Sequence, residues 1–415
     1  MASRYSAPRG TFDVLPAESA ARARIYMAAA LAFERAGYKR IETPVFEETE
    51  VFERGVGTST DIVQKEMFTF EDQGGRSLTL RPEATASICR AYVEHGMHKL
   101  PQPVKLWCWG PFFRHERPQA GRHRQFHQID VEAIGTSSPL ADAEVIILLH
   151  DLLRDLDVPG VELRLGSLGS LAERVAYREE LIAYLRSREA ELSDEVRGRI
   201  DQNPLRAFDS DHEGTREVMR DAPTILDRLS DADAEHFEAV KRLLDEAGVA
   251  YVLDPTLVRG LDYYTRTVFE FTSDVLGAQS ALGGGGRYDG LVSELGGPEV
   301  PAIGWAAGIE RILLALDAPV EGPALDAFIV APESQREVAL ALATEARRIG
   351  AAIDLDLADR SEKGQMKQAG RSGAGHAVIL SEDGTARMRD MSTGDERTVD
   401  LSDIPVEIGR SKASA

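Results

Sequence analysis

Two segments of alternating polar and apolar residues, 104–114 and 124–134, constrain the fold of this chain more than any other feature. Successive side chains of a β-strand point to opposite faces, so each segment predicts a strand with one apolar and one polar face. Because they are consecutive, the segments predict an antiparallel hairpin whose connection is unusually long. Long connections of this kind are often functional.

The polar face and the connection of this hairpin predict a binding cleft. Gln128, Asp130 and Glu132 share one face of the second strand, while four arginines and two histidines oppose one acid, Glu116, between residues 114 and 124. Clustered arginines are typical of sites for phosphate or carboxylate, although a solvated sheet and a solvated charged loop are the alternatives. The carboxylates can bind an ammonium or imidazole group, and the neighbouring cations can bind phosphate. This combination favours an enzyme that joins an amino acid to a nucleotide.

Four further segments carry candidate functional residues or an unusual composition. Glu83 lies at the start of a helix that follows a strand and a sharp corner. The alternative to a binding role is that its charge only stabilises the positive end of the helix dipole. The segment 257–264 places Arg, Asp and two Tyr around one glycine, which packing alone explains poorly. The glycine run 283–286 predicts a tight turn, and Arg311 near the start of a helix favours a ligand role.

Composition limits the class of protein. With 415 residues, of which 43% are hydrophobic, the chain predicts two or three folded domains and excludes a disordered or fibrous protein. Its net charge of −21 argues against binding nucleic acid through an overall positive field. Two cysteines are too few for a disulfide framework or a four-thiolate zinc site, and we assign no protein metal ligands. The absence of long apolar runs predicts a cytoplasmic protein without membrane contact.

Periodicity gives the order of elements. A helix is predicted over 17–36, then an edge strand interrupted by Pro44, a strand over 77–81 and a helix over 83–95. Residues 166–248 have a helical pattern, strands return at 251–253 and 265–271, and an apolar helix is predicted over 306–316. Beyond a linker at 318–323, strands and helices alternate in a small α/β unit.

The chain resembles the histidyl-tRNA synthetases, a family of class II aminoacyl-tRNA synthetases. The similarity begins at residues 9–16, and the Pro44 region resembles the first class II motif. Residues 113–118 resemble the second motif and 308–311 the third, while 257–264 and 285–289 resemble the two histidine signatures.

The resemblance implies an α+β fold, in which an antiparallel class II sheet with flanking helices spans 1–165 and 251–320. A helical insertion domain over 166–250 would clasp the acceptor stem of tRNA. An α/β domain over 326–415 would bind the anticodon. The chain would form a homodimer through the Pro44 region.

The resemblance also implies roles for individual residues. The catalytic residues would be Arg259 and Arg114, both acting at the α-phosphate of ATP. The remaining ATP-binding residues would be Glu116, Arg122, Phe126 and Arg311, and the histidine-binding residues would be Glu83, Thr85, Gln128, Glu132, Tyr264 and Tyr288.

The implied activity is the ATP-dependent and Mg²⁺-dependent activation of L-histidine, followed by transfer to the 3′ end of tRNA(His). The alternative is a non-catalytic paralogue that regulates ATP phosphoribosyltransferase in histidine biosynthesis. Such paralogues lose the arginines of the ATP site and the anticodon domain, whereas this chain has Arg114, Arg259, Arg311 and residues 326–415. The two histidine signatures oppose a class II synthetase for another amino acid.

Overall fold

A computed structural model describes residues 5–57, 60, 62–257, 263–316 and 325–410 of the chain. The chain divides into two compact units near residue 318. In the described part, no helix combines the length and apolar character needed to cross a membrane.

The first unit is built on a large mixed sheet. Its strands lie in the order β1-β5-β6-β11-β10-β9-β7-β8, and every neighbouring pair is antiparallel except the short edge pairs β1 with β5 and β7 with β8. The predicted hairpin is confirmed, because β5 and β6 pair in antiparallel register over ten residues. The strands are β1 (Lys39–Arg40), β2 (Phe46–Glu48), β3 (Phe68–Glu71), β4 (Ser77–Leu80), β5 (Val104–Phe113), β6 (Gln125–Ile134), β7 (Val161–Ser167), β8 (Val252–Leu253), β9 (Thr265–Ser273), β10 (Ala281–Arg287) and β11 (Ala302–Gly308).

Helices pack on both faces of this sheet, and those on the polar face of the hairpin cover only part of it. Phe33 of the first helix inserts between Trp107 of β5 and Trp305 of β11, with ring centroids 5.6 and 5.7 Å away, and all three side chains are buried. The helices of this unit are α1 (Pro16–Arg35), α2 (Thr49–Val56), α3 (Thr85–Glu94), α4 (Pro139–Asp155), α5 (Leu171–Ser187), α6 (Asp194–Arg197), α7 (Glu213–Arg220), α8 (Asp231–Glu246), α9 (Leu291–Glu294) and α10 (Ile309–Leu316).

The helices α5 to α7 and the turns between them surround a separate hydrophobic cluster that includes Tyr177, Leu181 and Val218. The start of α5 is fixed by a capping box, in which Ser170 and Glu173 bond to each other's backbone N–H groups. These elements lie within the range expected for the helical insertion.

A small second sheet, in the order β2-β4-β3, follows Pro44. Phe46 and Phe70 of this sheet are exposed, and their ring centres lie 6.3 Å apart. The single interrupted strand predicted for this region is wrong, because β1 and β2 join different sheets on either side of Pro44.

Two other local predictions are wrong. The glycine run 283–286 is not a turn but the middle of β10, paired on both sides with β9 and β11. Residues 306–308 belong to β11, so the following helix begins only at Ile309. In both places the sheet imposes an extended conformation that local sequence does not favour.

The second unit contains a mixed sheet in the order β13-β12-β14-β15-β16. The alternation of strands and helices predicted beyond the linker is present over residues 327–380, and a β-hairpin and a further helix follow it. The elements are β12 (Ala327–Val330), α11 (Arg336–Arg348), β13 (Ile353–Leu355), α12 (Glu362–Arg371), β14 (His376–Leu380), β15 (Ala386–Asp390), β16 (Glu396–Val399) and α13 (Ile404–Arg410).

Candidate active site

A cleft of about 320 Å³ opens above the polar face of the hairpin. It brings together side chains from the start of α3, from β6 and its preceding loop, and from β10, β11 and α10. The predicted site residues that line it are Glu83, Thr85, Arg114, Glu116, Arg122, Phe126, Gln128, Tyr264, Tyr288 and Arg311. Glu132 lies directly behind this lining, and Arg259 lies outside the described residues.

Glu132 is the most tightly enclosed acid of the site. Its side chain is fully buried, and it accepts hydrogen bonds from the Thr85 hydroxyl at 2.7 Å and from the Tyr288 hydroxyl. Burial raises the pKa of both Glu132 and Tyr288. A carboxylate held in this way can accept a hydrogen bond from a polar ligand without first reorganising.

The backbone of β11 closes the pocket behind Glu132. A Cβ atom at position 304 would overlap the Glu132 carboxylate, so glycine is the residue that fits there. Gly285 is similarly restricted, since a Cβ atom on it would overlap the carbonyl oxygen of Gly304. The glycine run therefore allows β10 and β11 to approach closely behind Glu132.

Glu83 has a structural role as well as a place in the cleft. Its carboxylate accepts the backbone N–H groups of Thr85 and Ala86, both at 2.8 Å, at the beginning of α3. Burial raises its pKa, although these hydrogen bonds and the nearby Arg114 act in the opposite direction. The helix-start interpretation is thus correct, and it leaves a buried carboxyl group facing the cleft.

A third acid, Asp130, lies deeper on the same strand face. Its carboxyl group is buried, with one oxygen 3.5 Å from the Cys108 sulfur. Burial, together with the nearby charge of Glu83, raises the pKa of Asp130 to about 8. Three carboxyl groups gathered in a poorly solvated place favour a cationic ligand above them.

Gln128 offers a further contact. Its amide oxygen is buried and accepts no hydrogen bond from the residues that the structure describes. A buried acceptor without a partner costs free energy until a ligand satisfies it.

Arginines and an aromatic ring form the other end of the cleft. Arg114 donates to the carbonyl oxygen of Pro82 at 2.9 Å, and its guanidinium carbon lies 5.4 Å from the centre of the Phe126 ring. Burial and the neighbouring charge of Arg122 lower the pKa of Arg311. Cations that repel each other across a cleft favour an anion between them.

Glu116 partly balances this charge, since it forms an ion pair with Arg122 at 3.2 Å. The loop that carries both residues also includes a short bridge between Gln119 and Arg122, so the connection of the hairpin is folded.

Sequence reasoning missed several residues of the site. Tyr263 is partly buried, and its ring centre lies 5.7 Å from that of Tyr288. Its place beside Tyr264 in the first histidine signature could have indicated it. Glu270 lines the cleft from β9, and a single acid in an ordinary strand gives no such signal.

Glu310 was also missed as a positioning residue. It forms an ion pair with Arg22 of α1 at 2.7 Å and accepts the backbone N–H of His127 at 3.0 Å. It therefore ties α1, β6 and the start of α10 together immediately next to Arg311. Both partners, Arg22 and His127, are distant from Glu310 in the sequence, and nothing in the local sequence predicts these contacts.

Comparison with known proteins identifies the family. A family model described as histidyl-tRNA synthetase matches residues 10–312. The chain belongs to this family.

Individual histidyl-tRNA synthetase relatives match over nearly the full chain. A histidine–tRNA ligase of Rubrobacter xylanophilus is 50% identical over 95% of this chain and 96% of its own length. One of Synechocystis is 45% identical over 95% of this chain and 90% of its own. The crystal structure of the apo S. aureus histidyl-tRNA synthetase matches with a TM-score of 0.82 at 36% identity, covering 98% of this chain and all of that one. The class II α+β fold expected from sequence is confirmed.

A second structural neighbour bears on the alternative. A Bacillus halodurans protein described as an ATP phosphoribosyltransferase regulatory subunit/histidyl-tRNA synthetase matches with a TM-score of 0.67 at 25% identity, over 89% of this chain and 97% of its own. The much higher identity to the histidine–tRNA ligases favours the catalytic branch of the histidyl-tRNA synthetase family over the regulatory one.

The class II reaction implies Mg²⁺. Among the described residues, no group of three or more His, Cys, Asp or Glu side chains could hold a metal ion. Mg²⁺ usually takes only one or two protein carboxylates and completes its shell with water and substrate phosphates. Glu116 and Glu270 both line the cleft, and both carboxylates interact electrostatically with Arg311. These two residues fit this donor set.

Proposed function

We propose that the chain activates L-histidine with ATP and transfers the histidyl group to the 3′ end of tRNA(His). The observation that carries this proposal is the position of Glu132. Its buried carboxyl group, held by Thr85 and Tyr288, lies at the acidic end of a cleft whose other end is arginine-rich. The acidic end suits the ammonium and imidazole groups of histidine, and the basic end suits the triphosphate.

In the first step, an oxygen of the histidine carboxylate attacks the α-phosphorus of ATP in line with the departing pyrophosphate. Arg114 stabilises the negative charge that develops on the α-phosphoryl oxygens, and Arg259 adds a second fixed positive charge. Arg122 and Arg311 hold the outer phosphates, while the Phe126 ring stacks on adenine. Mg²⁺ held by Glu116 and Glu270 would add charge neutralisation at the phosphates.

Histidine is held by the acidic end of the cleft. Glu83 and Thr85 bind its ammonium group, and Gln128 lies near its carboxylate. Glu132, Tyr264 and Tyr288 contact its imidazole ring. In the second step the 3′-hydroxyl of the terminal adenosine attacks the histidyl carbonyl carbon, and AMP leaves.

Specificity follows from the buried polar groups of this pocket. A side chain that cannot hydrogen-bond to Glu132 leaves the carboxyl group unpaired, and sites of this type can discriminate by a factor on the order of 10⁴. We therefore expect no editing site.

The decisive experiment is amino-acid-dependent pyrophosphate exchange with each of the twenty amino acids. Exchange with histidine alone is expected. Exchange with another amino acid would overturn the substrate assignment, and no exchange with any would favour the regulatory paralogue.

A second experiment tests Arg259. The variant Arg259→His should lower the rate of adenylate formation much more than the affinity for ATP, because a charge that acts on the transition state contributes selectively there. Equal single-turnover rates in both proteins would contradict the catalytic role.

We further propose a homodimer formed through the region around Pro44. The exposed Phe46 and Phe70 on the small sheet are 47% and 44% accessible, which supports a second copy as the partner that covers them. Sedimentation should give a dimer, and Phe46→Glu combined with Phe70→Glu should shift it to monomer. A wild-type monomer would contradict this proposal. The cytoplasm, where tRNA is charged, is the expected location.

A further inference from the structure

An acid-free cationic face on α12 distinguishes the second unit. Residues 326–415 contain 12 basic and 16 acidic residues, so this unit has no overall attraction for a polyanion. Most of its arginines are also engaged locally. The arginines in ion pairs are Arg336 with Asp359, Arg347 with Asp354, Arg360 with Asp356, Arg387 and Arg389 with Glu396, and Arg397 with Glu407.

The cations of α12 are different. Lys363, Lys367 and Arg371 are all exposed, and none forms an ion pair with any residue that the structure describes. Four residues advance an α-helix by one turn plus about 40°, so these three side chains lie within an arc of about 80°. The face therefore presents three positive charges in a row along about 12 Å of helix.

The opposite side of α12 fixes this face in place. Gln365 and Ala369 are buried, and the Gln365 side chain bonds to both the N–H and the carbonyl of Ala331, at 2.8 and 2.9 Å. Because Gln365 anchors the helix to the segment that follows β12, the lysines and the arginine point to solvent on a rigid support. Because the helix backbone is already fixed, only the side chains lose conformational freedom when they bind a ligand.

We infer that Lys363, Lys367 and Arg371 form a phosphate-binding surface for the backbone of the tRNA substrate. This inference rests on the proposed function and names the surface through which the second unit would hold its RNA partner. Neutralised arginines elsewhere in the unit contribute little net field, whereas these three can displace counterions from neighbouring phosphates. Contacts of this type position an RNA without reading its bases.

The test compares the full-length wild type with the triple variant K363A/K367A/R371A in binding to labelled tRNA(His) at 50 to 200 mM salt. Each lost phosphate contact reduces the slope of log affinity against log salt by about 0.7 to 0.9. Three contacts change the slope by about 2.1 to 2.7, so over this fourfold range the wild-type affinity should fall about 20- to 40-fold further than that of the variant. An unchanged slope would overturn the inference.

The matched control is the double variant R387A/R389A. Both arginines are exposed or partly exposed on the same unit but share the carboxylate of Glu396, at 2.9 and 3.5 Å. Their removal should leave the salt slope close to that of the wild type. If the control reduces the slope as much as the α12 variant does, the assignment to α12 is wrong.

A non-cognate tRNA separates phosphate binding from base recognition. The α12 variant should lose the same factor in affinity for tRNA(His) and for the non-cognate tRNA, and a loss restricted to tRNA(His) would overturn the phosphate assignment. Histidine-dependent pyrophosphate exchange should be unaffected in both variants. Failure of exchange in the wild type would instead refute the proposed function, so the two failures are distinguishable.

Discussion

At the scale of single residues, the Glu132 carboxyl group is expected to determine the selection of histidine. Replacing it with alanine removes a buried hydrogen-bond acceptor, and a hydrogen bond to a charged group contributes about 1.5 to 3 kcal/mol. The variant E132A should therefore lower kcat/KM for histidine about 10- to 150-fold in pyrophosphate exchange, with little change in KM for ATP. The control is E162A, which removes an exposed carboxylate from the same sheet. Unchanged kcat/KM in E132A would contradict the assignment.

The raised pKa of Asp130 predicts that the free energy of unfolding depends on pH. Its pKa of about 8 in the folded protein compares with an ordinary value of 3.8, so the native carboxyl group retains its proton where the unfolded chain has lost it. Wild-type stability should therefore fall as the pH rises from about 4 to about 8. The neutral variant D130N does not titrate, so its free energy of unfolding relative to the wild type should increase across this window. Urea unfolding at pH 5 and pH 8 measures the difference, and a difference independent of pH would refute the raised pKa.

At the scale of elements, the junction between the insertion helices and the catalytic sheet holds the residues that follow the first histidine signature. Arg174 of α5 donates to the carbonyl oxygen of Tyr264 at 3.0 Å. Asp233 of α8 pairs with Arg266 at 2.7 Å, and Arg266 has the left-handed backbone angle φ = 47°, which costs free energy in a residue other than glycine. The helices thus stabilise a strained backbone next to the pocket.

This junction predicts a positioning role for Arg174. A single hydrogen bond to backbone contributes about 0.5 to 1.5 kcal/mol, so R174A should raise KM for histidine about 2- to 10-fold while KM for ATP stays constant. R174K, which retains a donor, should recover part of the effect. The control R178A removes an arginine one turn further along α5 that bonds within the insertion, to Gln202. Equal changes in both KM values would indicate a general structural effect instead.

Elements differ in how far sequence predicts them. The hairpin of β5 and β6 was predictable because the alternation of polar and apolar residues directly indicates strands with one apolar and one polar face. The strand β10 was not, because four consecutive glycines give no alternation, and their extended conformation depends on the approach of β11. Alternation placed Asp130 on the polar face, yet its burial and its proximity to Glu83 depend on tertiary packing that the local sequence does not show.

At the scale of the whole molecule, we expect the first compact unit to form the adenylate and the second to bind tRNA. Every proposed site residue belongs to the first unit. Apart from Arg259, which lies outside the described residues, these residues line the cleft or lie directly behind it. Deletion of residues 326–415 should leave histidine-dependent pyrophosphate exchange measurable and sharply reduce aminoacylation of tRNA. Sedimentation of the truncated protein controls for loss of the dimer. Aminoacylation at full efficiency by a truncated dimer would show that the second unit has no role in tRNA binding.

The wall that Gly304 forms behind Glu132 limits how the enzyme can be re-engineered. A wall made of side chains can be cut back by mutation, but this one is main chain, and no substitution makes glycine smaller. An enzyme meant to accept histidine analogues with a larger ring would have to gain its space from side chains that line the cleft, such as Tyr263. In libraries that randomise position 304, the added atoms of every variant would collide with the carboxyl group of Glu132, the acid proposed to bind the substrate.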